Sequence, residues 1–258
     1  MYNNSITIDE AINYLSSIDL NTFSKKINEI KNRILYQSKF TILIYGNVTF
    51  QKIFKSDNNI NLIYPSIEKP RNKVKKLGNI DCNHPNEDEK DNFVQYSYYI
   101  GNFLPRNNLL LLLLSVSLNQ KFYDEIRTKQ QFGYLVSASR SSYQNDIYYF
   151  KQKVQSSKSV DEIEEAINRF NTNFLSTLSE EDFNNYLTSA KNILEERDNS
   201  TRELFGRYLD EIYYNKFIFN RRELMLQYVK KITFEEFRNF FKNHILDGQL
   251  SKLIIRHR

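Results

Sequence analysis

The sequence predicts an α+β fold: a mainly antiparallel sheet with helices on one face, preceded by the helix-helix-strand tail of another unit. Three observations predict it. Val94, Tyr96, Tyr98 and Ile100 alternate with polar residues, the period of a half-buried strand. Later segments repeat apolar residues every three or four positions behind capping residues, the signature of helices laid on a core. All four prolines (Pro65, Pro70, Pro85 and Pro105) crowd between residues 65 and 105, where they divide the chain. With 258 residues, 40% of them apolar and 14% aromatic, the chain can bury a large core, which excludes wholesale disorder.

The first unit, residues 1–57, opens with the capping box Thr7-Ile8-Asp9-Glu10. Asp19 starts a second helix whose Leu20, Phe23, Ile27, Ile30 and Ile34 share a face. Phe40–Tyr45 reads as a buried strand ended by Gly46-Asn47. Helix, helix and strand leave apolar faces uncovered, so this reads as the C-terminal part of a larger domain. Residues 58–91 read as a linker. There a basic run, Lys69-Pro70-Arg71-Asn72-Lys73-Val74-Lys75-Lys76, gives way to the acidic Asn86-Glu87-Asp88-Glu89.

Residues 92–258 form the complete unit. The strand Val94–Ile100 closes at Gly101, and a long helix runs from about Asn107 to Ile126. Its Leu109–Leu114 run is apolar all round, which marks a buried segment. Strands follow at Gly133–Ser139 and Ile147–Val154. Ser159-Val160-Asp161-Glu162 and Ser179 open two helices, and two more lie near Arg202–Tyr214 and Arg221–Val229. Thr233 caps the last helix, and Lys252–Ile255 is a closing strand.

Composition excludes several functions. Lys and Arg exceed Asp and Glu by 36 to 31, a net charge of +5. Asn is abundant and only Ala11, Ala138, Ala166 and Ala190 are alanines, a bias expected of an AT-rich genome. The bases alternate with acids, so no nucleic-acid partner is expected. The longest apolar run, Leu109–Leu114, is too short to span a bilayer, and residues 1–20 carry no basic segment ahead of an apolar one. No membrane association or leader is expected. A single cysteine, Cys82, points to a reducing, cytoplasmic compartment. The three histidines are dispersed: His84 in the linker, His244 near a helix end where an imidazolium would complement the dipole, and His257 next to the terminus. None has a second ligand at zinc-like spacing, and neither a phosphate loop nor a nucleophile elbow is present. No catalytic residue, metal site or cofactor is expected within the chain.

One segment carries more. Arg127-Thr128-Lys129-Gln130-Gln131-Phe132-Gly133-Tyr134 closely resembles the Arg-Thr-Lys-Glu-Gln-Leu-Gly-Tyr segment of the insulin-degrading enzyme (insulysin/pitrilysin) zinc metallopeptidases, with Gln130 for the usual Glu and Phe132 for the usual Leu. Tyr45-Gly46-Asn47-Val48-Thr49 is similar to the end of a strand in that family's third domain. Phe217–Phe241 is similar to the closing helices of the fourth. The resemblance implies the end of a third pitrilysin-type domain and a complete fourth. This is the half that closes a chamber over peptide substrate, while zinc sits on an inverted His-x-x-Glu-His motif in a separate N-terminal half. This chain lacks that motif, so the resemblance implies no independent activity, with zinc only in a partner half. It also implies that Arg127 and Tyr134 reach the peptide substrate. From the residues alone, Arg127 caps a helix end and Tyr134 is an ordinary strand residue. The alternative function is a degenerate, peptidase-derived module that binds a peptide or protein without activity.

Overall fold

The computed structural model describes residues 7–37, 43, 79–82, 90–143, 147–248 and 252–257. The chain divides into two units, Met1–Leu77 and Gly78–Arg258. In the first, α1 (Ile8–Ser16) and α2 (Leu20–Gln37) form where the caps predict. The Thr7 hydroxyl accepts the Glu10 amide at 3.2 Å, and the Glu10 carboxylate accepts the Thr7 amide at 2.8 Å. Asp19 accepts the Thr22 amide at 2.9 Å, satisfying a donor that the first turn of α2 leaves free. The apolar stripes of these helices are exposed, at Ile8, Ile12 and Leu15 on α1 and at Phe23, Ile27, Ile30 and Ile34 on α2. The expected strand Phe40–Tyr45 lies outside the described residues, apart from a half-buried Leu43.

In the second unit the order is β1 (Ile80–Cys82), β2 (Asn92–Asn102), α3 (Pro105–Tyr123), β3 (Leu135–Tyr143) and β4 (Ile147–Ser156), followed by α4 (Val160–Thr177), α5 (Glu180–Glu195), α6 (Thr201–Tyr213), α7 (Arg221–Val229), α8 (Phe234–Phe241) and β5 (Lys252–His257). The strands form one sheet in the order β1-β5-β2-β4-β3. Every pairing is antiparallel except β1 with β5. The fold is therefore α+β with a mostly antiparallel sheet, as the alternation and caps predict. β1 falls within 58–91, where a linker is expected; its Ile80 sits opposite Ile255 of the closing strand.

Burial follows the pleat. Val94, Tyr96, Tyr98 and Ile100 of β2, Phe150 and Val154 of β4, and Val136 and Ala138 of β3 turn one face into the core. Against that face lies α3, all six of its consecutive leucines buried. Pro105 begins α3, where a missing N–H costs nothing. Phe122, Phe170, Phe174 and Phe241 continue the core as an aromatic chain with centroids 5.1–6.2 Å apart.

Two polar clusters interrupt this core, each with its bonds satisfied. The Tyr98 hydroxyl donates to Gln152 Oε1 at 3.0 Å, Gln152 Nε2 donates to Asn171 Oδ1 at 2.8 Å, and Asn171 Nδ2 returns to both partners. Burial, with Tyr96 beside it, pushes the Tyr98 phenol well above its ordinary value. At the other end, buried Glu211 takes a two-armed ion pair from Arg221 and the Ile218 amide at 3.0 Å. Arg221 also lies over the Phe103 ring at 4.2 Å.

The last helical turn departs from expectation at His244. It lies in a π-turn, Lys242–Leu246, and packs on the Phe240 ring at 4.4 Å. Burial lowers its pKa and outweighs a hydrogen bond to the Tyr99 backbone. The imidazolium expected to complement the helix dipole is thus disfavoured, because desolvating the cation costs more than the helix end returns.

Candidate functional site

The long helix ends in an unusual way, and that ending builds the site. α3 is regular to Tyr123, then widens into a π-turn over Asp124–Lys129. The widened ring lets the Gln130 amide donate to the Glu125 carbonyl at 3.0 Å and the Phe132 amide to the Ile126 carbonyl at 2.9 Å. Ile126 and Phe132 are buried on either side and anchor the turn. Between them Gln131 takes a left-handed backbone, φ 57°, and Gly133 follows at φ 41°.

Gly133 is dictated by space as well as by φ. A Cβ there would fall 1.7 Å from the Gln155 carbonyl oxygen of β4. The chain passes against the β4 backbone at this point, so only glycine fits. β3 then starts at Leu135 rather than at the predicted Gly133, since a residue at positive φ cannot extend the ladder.

This turn sets Arg127 and Tyr134 side by side. Arg127 Nη1 donates to the Tyr134 carbonyl at 2.6 Å, and its guanidinium packs on the Tyr134 ring at 4.9 Å and the Tyr123 ring at 5.3 Å. The Tyr134 side chain is 82% exposed. Its hydroxyl has no partner among the described residues, nor do the remaining N–H groups of Arg127, four of the five that a guanidinium carries. The arrangement is a clamped cation and a free phenol, both able to donate to an incoming carbonyl or carboxylate. Neither residue follows the reading from residues alone. Arg127 bonds a loop carbonyl rather than capping a helix, and Tyr134 lies before the strand, not in it.

The neighbouring groups hold the turn rather than extend the site. The Glu125 carboxylate accepts from Gln130 and Lys129, both at 3.0 Å, and these bonds lower its pKa, Gln130 most. Arg169 of α4 reaches Gln130 Oε1 at 3.0 Å. Spacing along the chain suggests the Glu125–Lys129 pair, four residues apart, but not the contact of Arg169 with Gln130.

Among the described residues no group of three or more His, Cys, Asp or Glu side chains converges. Cys82 is exposed, with its thiol 3.4 Å from the Arg256 carbonyl, and His84 lies outside the described residues. No helix among the described residues is long and apolar enough to cross a membrane.

Comparison with known proteins includes this region. The family described as PQQ synthase PqqF-like, C-terminal lobe domain 4, matches residues 113–209, which include the whole Arg127–Tyr134 turn. The chain is similar to the insulin-degrading enzyme and pitrilysin peptidases, and the family model places the similarity in a C-terminal lobe. The A-factor-processing enzyme of Saccharomyces cerevisiae is 24% identical over 249 residues, covering 91% of this chain and 24% of that protein. The insulin-degrading enzyme of Drosophila melanogaster is 23% identical over 261 residues, covering 94% of this chain and 26% of its own length. The crystal structure of pitrilysin shares the fold, with a TM-score of 0.56 and 14% identity over 71% of this chain and 20% of that one. The chain thus spans about a quarter of the curated relatives it matches.

Proposed function

We propose that the chain is a non-catalytic C-terminal portion of an insulin-degrading-enzyme-like metallopeptidase, which closes a chamber and orients peptide substrate for a separate zinc-bearing N-terminal half. The observation that carries this reading is the Arg127–Tyr134 pair. Four of the five guanidinium donors have no partner among the described residues, the phenol is exposed, and a turn anchored by buried Ile126 and Phe132, within the stretch matching the family's fourth domain, holds the pair in place. A guanidinium and a phenol pre-set in this way can hydrogen-bond the substrate carbonyl as charge develops on it, and closure over them would exclude water. The partner half would supply zinc; this chain would supply donors and a wall. The exposed stripes of α1 and α2 support such a partner, because they offer apolar surface for more protein to cover. We place the assembly in a reducing compartment on the strength of the lone Cys82.

The test combines the chain with a zinc-bearing half and measures peptide turnover. Arg127→Ala and Tyr134→Phe should each lower kcat by about 10²–10³-fold, the worth of one lost oxyanion donor, with the melting temperature nearly unchanged. Full turnover in the double variant would defeat the proposal. Without turnover in any pairing, retained peptide binding would favour the alternative, a peptidase-derived interaction module.

A further inference from the structure

We infer that the outer edge of β3 takes an acidic, extended polypeptide segment as an added strand of the sheet. This surface does not use Arg127 or Tyr134, and the inference stands apart from the peptidase reading.

β3 is the last strand of the sheet, paired only with β4 among the described residues. Half of its backbone donors and acceptors point away from β4, a row that an extended chain can complete. Most of the devices that blunt such edges are absent. β3 is nine residues long, contains no proline or glycine, and keeps register with β4 from Leu135↔Gln155 to Tyr143↔Ile147 without a bulge. The opposite edge, β1, is three residues long and offers no comparable template.

Charge selects the occupant. Across β3 and β4 the charged side chains are Arg140, Lys151 and Lys153, with no carboxylate. Lys151 stands opposite Ser139 and Lys153 opposite Ser137, on the sheet face turned away from the core. Neither lysine has an ion-pair partner among the described residues, and Lys151 instead lies 6.0 Å from the Tyr149 ring centre. An added strand would run roughly 9–10 Å from β4, two strand spacings away. The small serines between leave room for a long acidic side chain to meet a lysine across β3. A second copy of this chain is a poor occupant, because its β3 and β4 would add another arginine and two more lysines to the same sheet and no carboxylate to meet them. A segment alternating Glu and Val fits best, with Glu over the lysines and Val on the other face.

The probe is a fluorescein-labelled peptide of about ten residues alternating Glu and Val, titrated with the full chain and followed by anisotropy. The acidic peptide should bind. Its Lys-Val counterpart should not. The same acidic peptide N-methylated at alternate amides should bind about tenfold more weakly, or not at all, since the lost contacts are main-chain hydrogen bonds. A Lys151→Gln/Lys153→Gln variant with an unchanged circular dichroism spectrum should bind several-fold more weakly and with less salt dependence. Absence of binding, equal binding of the basic peptide, undiminished binding of the N-methylated peptide, or self-association through β3 that excludes the peptide would each overturn the inference.

Discussion

The helices of residues 1–77 and those of residues 78–258 obey the same sequence rules and meet different surroundings. Thr7 with Glu10 caps α1 just as Ser159 with Glu162 caps α4, each pair exchanging the same hydrogen bonds. Ile27, Ile30 and Ile34 line α2 at helical spacing, as Ile163, Ile167 and Phe170 line α4. Yet Ile163 and Ile167 are fully buried, while Ile27, Ile30 and Ile34 are each about half exposed. The period of a helix says which side is apolar; only a partner surface turns that side into stability. Hydrophobic stabilisation should therefore be concentrated in the second unit, and three measurements sharpen or break that contrast.

The largest effect should come from Gly133→Val. A side chain there would overlap the β4 backbone at a φ that valine avoids, so either the turn or the β3–β4 pairing must give way. Urea unfolding of the full chain should show a loss of about 3 kcal/mol or more, or no cooperative transition. A midpoint close to the parent's would mean that the backbone relaxes and that the glycine is not required.

An intermediate effect separates the units directly. Leu113→Ala empties space at a fully buried position on α3 and should cost about 2–5 kcal/mol. Ile30→Ala on α2 should change stability by no more than about 0.5 kcal/mol, since about half of the residue is already in water. Similar losses in the two variants would show that α2 is covered in solution.

The smallest effect concerns pH. Burial places the folded pKa of His244 below its ordinary value of 6.5. As pH falls through 6.5 the unfolded chain takes up this proton before the folded chain does. Stability then declines with falling pH until the folded pKa is reached, and is insensitive to this group above 6.5. His244→Gln should flatten the slope in that window. The carboxylates of Asp182, hydrogen-bonded by Ser179, and Asp198, bonded by Arg207, are held below their ordinary value. They give stability that is lost only as pH falls through the carboxylate range, so the two windows remain distinct. An unchanged slope in the variant would show that His244 is solvated.

Much of the fold is legible along the chain. The alternation at Val94–Ile100, the Ser159 and Ser179 boxes and the apolar run Leu109–Leu114 each predict an element that forms, because caps and periods act over three or four residues. The ends were harder to read. The helix expected to reach Ile126 becomes a π-turn after Tyr123, where the packing of Ile126 and Phe132 overrides local propensity. At the candidate site the motif identified Arg127, Gly133 and Tyr134 but not their relation. Tyr134 reads as a strand residue, but the strand begins one residue later.

Local order and chemistry were therefore set by the sequence alone: which segments are helical, which face of each is apolar, and that no zinc motif of the family is present. Tertiary structure decided everything that depends on residues far apart in the chain. It brought Gln152 to Asn171, Glu211 to Arg221, and Gly133 against the carbonyl of Gln155. It left Tyr134 in solvent with Arg127 clamped beneath it, and put β3 at the edge of the sheet. The physical reason is range: caps and hydrophobic periods are satisfied within one turn or one strand, whereas close approach, burial and an unpaired edge exist only after distant segments have packed.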